Sequence, residues 1–166
     1  MKPQRNPVSH PRPRLDLAEL APGPLQALVA AQTALNAGPL AQRVRELVKI
    51  RASQINGCAY CVEMHTRAAR AEGESEERLH QVVVWRESLL FGAEERAALA
   101  YAEAATHLGA EGVSDAVWAE AQEAFEPAAL AGLVAQVALI NAFNRIAVPL
   151  RTPPGMPPGG SAAHAP

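Results

Sequence analysis

Aromatic residues are scarce in this chain of 166 residues: two Trp, two Tyr and three Phe, or 4%. Cysteine is scarcer still. Cys58 and Cys61 are the only two, which excludes the multi-bridge scaffold of a small secreted module. Neither sign of charge is in excess. The net charge of -2 gives none of the basic footprint that nucleic-acid binders carry, so no nucleic-acid partner is expected. Long hydrophobic runs are also missing. The longest, residues 128–140, falls short of the roughly 20 residues that a membrane span needs. Residues 1–14 hold prolines and basic side chains but no apolar stretch of the secretory type. These absences point to a soluble cytoplasmic protein with no membrane partner, in a compartment that keeps structural thiols reduced. A cysteine pair there more often does chemistry than holds a fold together.

Proline is present but segregated. Seven of the 14 prolines lie at or before Pro39, six lie at or after Pro149, and Pro127 stands alone between them. Proline costs about 3 kcal/mol in a helix interior, so this distribution leaves a long stretch free to be helical. Residues 1–14 and 152–166 are read as disordered tails, because they cannot bury enough apolar surface to order themselves. Residues 15–151 are then one domain, rich in Ala and Leu and poor in the β-branched runs that mark strands. Helices are expected over 24–36, 39–55, 58–72, 75–85, 93–108, 114–126 and 127–148. Asn56-Gly57 should stop the second, and Ser75 should cap the fourth with Leu79, Val82 and Val83 facing inward. The fold class is all-α, with six to eight helices.

The chemistry sits at the start of the third helix. Cys58-Ala59-Tyr60-Cys61 is a CxxC followed by His65. Offsets of 0, 3 and 7 fall within a ~60° sector of an α-helix, so Cys58, Cys61 and His65 share one face. A helix N-terminus favours thiolate over thiol, and an imidazole with a nearby carboxylate can move the protons that thiol chemistry requires. Glu46 supplies that carboxylate if the second and third helices pack as a hairpin. Other readings stay open. The cysteines could be small core residues. Cys58, Cys61, His65 and His80 could bind zinc, although a second close-spaced ligand pair is missing. Taken singly, Glu46 reads as an exposed carboxylate paired with Lys49 or Arg43, and His65 reads as structural. Trp85 and Trp118 read as core or interface residues. The polar segment Asn141 to Arg145, inside an apolar helix, reads first as packing and second as lining of the site.

The block from Glu46 to His65 resembles the core of alkylhydroperoxidase D-like proteins, within the carboxymuconolactone decarboxylase superfamily. The shared pattern is Glu46, a CxxC twelve residues later at Cys58 and Cys61, and His65 four beyond the second cysteine. The stretches 85–100 and 140–147 are also similar, so the resemblance covers about residues 15–151. It implies an all-helical homo-oligomer (trimer, hexamer or dimer) and a thiol peroxidase without metal or organic cofactor. By the same resemblance Cys61 is the peroxidatic cysteine that becomes a sulfenic acid. Cys58 is the resolving cysteine and proton donor, closing a Cys58–Cys61 disulfide, and Glu46 with His65 forms the proton relay. The partners implied are a hydroperoxide and an external dithiol reductant of the thioredoxin or lipoyl type. One position departs from the pattern. Some members carry histidine before the second cysteine where this chain has Tyr60, and a phenol with pKa near 10 does not relay protons at neutrality as imidazole does.

Two other functions fit the same residues. Decarboxylation of a carboxymuconolactone-like acid occurs in the superfamily without need of the CxxC, with Arg51 and Arg145 as the cations that could grip the acid. A non-enzymatic redox switch would use the same disulfide to change assembly or partner binding.

Overall fold

The computed structural model describes residues 12–156. The domain begins with a single turn, α1 (Leu17–Leu20), whose first N–H groups are met by Asp16: its Oδ1 accepts from the Glu19 amide at 3.1 Å. Then follow α2 (Pro22–Asn36), α3 (Gln42–Ile55), α4 (Ala59–Ala71), α5 (Glu76–Gln81), α6 (Ala93–His107), α7 (Asp115–Ala124) and α8 (Pro127–Leu150). The described residues form no β-strand, as the all-α expectation requires. Proline opens both α2 and α8, where its missing N–H costs nothing. Ser75 and Ser114 cap α5 and α7 through their hydroxyls.

Two expected helices are wrong in extent. The one expected from Pro39 starts at Gln42. The spacing predicts one helix over 75–85, but α5 ends at Gln81 and a 3₁₀ turn occupies Val82–Val84. Three successive β-branched residues crowd the preceding turn, which disfavours continued α-helix. The tighter turn keeps Val82 buried and leaves Val83, expected inside, exposed. The tails expected at 1–14 and 152–166 lie largely outside the described residues. Of the part described, the Arg14 amide donates to the Leu150 carbonyl at 2.8 Å, and Pro153 is buried.

α3 is the axis of the molecule. Its Val44 and Val48 enter an apolar cluster with α6, α7 and α8 that includes Ala98, Ala102, Leu133 and Val137. Leu47 and Ile50 enter a second cluster with Leu79, Val82, Trp85, Phe91 and Leu99. Ala52 enters a third, with both cysteines, Ile140 and Ala147. A helix buried on all sides over residues 44–50 must satisfy its polar side chains there internally, and α3 buries Arg45, Glu46, Lys49 and Ser53. That requirement is what builds the site.

α8 lies against α2, α3 and α6. At 24 residues it is long and apolar enough to cross a membrane by length and composition, whereas the apolar tract alone was expected to be too short. In the fold it is a core helix: Leu133, Gln136, Val137, Ile140 and Asn144 are all essentially inaccessible. Gly132 allows its close approach, since a Cβ there would stand 3.3 Å from that of Leu40. Gln136 and Gln32 exchange two amide hydrogen bonds of 3.0 Å, which fix α2 across α8.

Candidate active site

α3 and α4 form a hairpin through a short turn. The Asn56 amide bonds back to the Ala52 carbonyl at 3.0 Å, and Gly57 takes φ +66°, a conformation that costs glycine little. The turn delivers Cys58 to the N-cap of α4, where its sulfur accepts the Cys61 backbone N–H at 3.4 Å. Both cysteines are free and buried. Ala52, Ile140, Ala147, Tyr60 and Phe143 surround them.

The two thiols are hydrogen-bonded to each other. The hydrogen bond from the Cys61 thiol, helped by the Cys61 N–H and by Asn144 and opposed by burial, draws Cys58 down from the ordinary thiol range to about 7. Donating that bond, then burial and the adjacent charge, hold Cys61 well above the ordinary range, and only Asn144 pulls it down. Within the pair, the proton is therefore lost more readily from Cys58 than from Cys61. Tyr60 is pushed upward by burial and by both sulfurs, so its phenol stays protonated and serves as a wall of the site.

Glu46 and His65 meet as the hairpin requires. His65 is one turn beyond Cys61 on α4, and its Nδ1 lies 3.1 Å from Glu46 Oε2 on α3. The reading of Glu46 as an exposed carboxylate is corrected: it is buried, and its other oxygen takes Lys49 Nζ at 2.5 Å. Arg43 instead pairs with Glu74 and Glu95, at 3.3 and 2.9 Å. Burial pushes Glu46 upward, but the His65 hydrogen bond and the Lys49 charge outweigh it, leaving Glu46 below its ordinary value. Burial, aided by Lys49, holds His65 below its ordinary value against the pull of Glu46. The neutral imidazole then donates Nδ1–H to the carboxylate, and Nε2 carries the lone pair.

All four residues lie within the segment 22–104, which matches the model of the carboxymuconolactone decarboxylase family. The chain belongs to the carboxymuconolactone decarboxylase family. It is 33% identical to the uncharacterised protein YdfG of Bacillus subtilis over 135 residues, 81% of this chain and 92% of that protein. Its fold is that of ATU0492 from Agrobacterium tumefaciens, a protein of unknown function with a suggested AhpD-type antioxidant role. That match has TM-score 0.84 and 32% identity, over 88% of this chain and all of that one. The alkylhydroperoxidase AhpD core of a peroxidase-related protein from Ralstonia eutropha matches with TM-score 0.73 and 25% identity, over 84% of this chain and 74% of that one. This chain is thus an alkylhydroperoxidase D-like member of the family.

Around the four residues, this family member has a polar network that the sequence reading ranked second to plain packing. The Asn144 amide donates to Ser53 Oγ at 3.1 Å, and its carbonyl accepts from Asn56 Nδ2 at 2.9 Å. Asn56 also donates to Asn141 at 2.8 Å, and Asn141 donates to Thr106 at 3.0 Å. The end of α3 is thereby tied to α8 beside the sulfurs. The signal was visible as two asparagines three apart in an apolar helix.

The residues invoked by the rival readings lie elsewhere or are engaged. His80 stands on α5, 79% exposed beside Glu76, apart from the buried cysteines. Among the described residues no group of three or more His, Cys, Asp or Glu is arranged to hold a metal ion. Arg51 pairs with Glu103 at 2.7 Å, and Arg145 donates to the Asn141 side chain at 2.9 Å. Trp85 is a core residue whose Nε1 donates to Glu103 at 2.9 Å, and Trp118 tilts against Tyr101 with centroids 6.2 Å apart.

Proposed function

We propose that this protein is a dithiol peroxidase that reduces hydroperoxides through Cys58 and Cys61. The observation that carries the reading is a free cysteine pair at a helix N-terminus with a neutral imidazole one turn behind, fixed by a buried carboxylate. Cys61 is the sulfur nearer His65 along α4 and is taken as the nucleophile. For attack, the proton of the pair passes to Cys58, or to Nε2 of His65. The Cys61 thiolate forms an S–O bond to the peroxide, the O–O bond breaks, and the departing alkoxide takes up the proton as alcohol. Cys58, left as a thiolate, then attacks the sulfenic sulfur; the S–O bond breaks, the departing hydroxide takes a proton from solvent as water, and the disulfide closes. An external dithiol of the thioredoxin or lipoyl type returns both thiols by exchange.

The test is hydroperoxide turnover with a dithiol donor, together with mass spectrometry of trapped intermediates. Wild type turns over, Cys61→Ser does not, and Cys58→Ser accumulates a sulfenate on Cys61. Equal rates for wild type and Cys61→Ser overturn the reading. A sulfenate on Cys58 in Cys61→Ser, with none on Cys61 in Cys58→Ser, reverses the two roles.

A further inference from the structure

Lys49 is absent from the mechanism so far, yet it is the most deeply buried cationic side chain beside the relay, 5% exposed. A lysine at that depth needs an anion, and the carboxylate it takes is the one that holds His65. The two oxygens of Glu46 are divided, Oε1 to Lys49 Nζ at 2.5 Å and Oε2 to His65 Nδ1 at 3.1 Å. We propose that Lys49 is a positioning residue of the relay. By occupying Oε1 it turns Oε2 onto Nδ1–H of His65, and by cancelling the carboxylate charge it keeps the imidazole neutral, with Nε2 free to take a thiol proton. The proposal rests on the peroxidase reading for the use of that proton, but not for the state of the ring.

The argument depends on which charges reach the ring. α3 carries Arg43, Arg45, Lys49 and Arg51, the last paired with Glu103 at 2.7 Å. Arg45 donates to the Leu40 carbonyl, and Arg43 is engaged by Glu74 and Glu95. The turn after α4 contributes Glu72 and Glu74, and α5 contributes Arg78, paired with Glu74 at 2.8 Å and with Glu95 of α6 at 2.6 Å. Arg43, Glu46, Ala69, Glu72, Glu74 and Arg78 line a cavity of about 320 Å³. α4 brings the Cys58 and Cys61 thiols, and α8 brings the uncharged Asn144. Among all these, Glu46 and Lys49 act on His65 by charge, in opposite directions. Without Lys49, a buried carboxylate facing an imidazole would pull a proton onto the ring.

Nuclear magnetic resonance of ring-labelled histidine in the full chain reads this directly. Wild type should show a neutral Nδ1–H imidazole for His65 at pH 7. In Lys49→Met the His65 midpoint should rise by about one pH unit or more, and Lys49→Arg should restore the wild-type titration. Unchanged titration in folded Lys49→Met overturns the proposal. Should that variant fail to fold, Glu46→Gln and Glu46→Gln/Lys49→Met are compared, since the double variant buries neither charge. His65 titrates higher in the double variant if Lys49 acts by charge, and at the same pH if it only fills space. Turnover is measured separately: a neutral, Lys49-dependent ring in a protein that turns over no peroxide defeats the peroxidase reading and leaves this one standing.

Discussion

Asn144 on α8 donates its amide to Ser53 Oγ on α3 at 3.1 Å while lying against both cysteine sulfurs. One side chain thus joins the core helix to the helix of the relay and stabilises negative charge on the thiol pair.

Replacing Asn144 by alanine removes the acceptor for Asn56 Nδ2 and the donor to Ser53 in a site that is 1% exposed. Leaving such buried groups unmatched costs about 1–3 kcal/mol. Urea denaturation of Asn144→Ala should show a loss of that order. Its thiolate should also form at higher pH, because the amide lowers both cysteines. The pH dependence of iodoacetamide alkylation measures this: a midpoint near 7 in wild type and a higher one in the variant. Alkylation at the same pH in both would remove Asn144 from the site.

Periodicity and punctuation carried much of this structure. Pro127, Ser75 and Ser114 mark helix starts, Pro24 marks the first turn of a helix that begins at Pro22, and Gly57 marks the turn that makes Cys58 a cap. The CxxC with His65 was legible because helical phase alone places the three on one face. Glu46 needed the hairpin, and its burial was invisible in a segment as charged as Gln42–Ile55. Lys49 reads as a solvated partner for the same reason: sequence does not reveal that neighbouring elements cover α3 on every side over residues 44–50. The valine run was misjudged because three β-branched residues in a row fit helical spacing yet resist helical geometry.

Apolar side chains left in water argue for self-association. Leu89 is 99% exposed, and Val83 and Val84 nearby are more than half exposed. α2 has no buried residue although its sequence, PLQALVAAQTALN after its first two residues, is largely apolar. Covering such surface gains about 25 cal/mol per Å². Light scattering should give a mass that is a multiple of 17.6 kDa. The double variant Val83→Asp/Leu89→Asp should shift that mass downward with helicity unchanged. A wild-type monomer at tens of micromolar would refute the assembly, and an unaltered oligomer in the variant would move the interface to α2 or elsewhere.

Acid should unfold the protein through the relay. The folded state holds His65 below its ordinary value of 6.5, so between the two values the unfolded chain binds more protons and stability falls as pH is lowered. Glu46 extends the effect. Its folded value lies below the ordinary 4.5, so the stability it contributes is present above 4.5 and is lost as pH drops through the folded value. Both groups therefore act in the same direction, and Tm should decline from about pH 6.5 downward rather than only below pH 4.5. His65→Gln keeps a hydrogen-bonding side chain but cannot take up a proton, so its Tm should stay flat between pH 6.5 and 5 and decline only where carboxylates titrate. Parallel Tm profiles for wild type and His65→Gln across that window would show that the imidazole is not held neutral in the folded state.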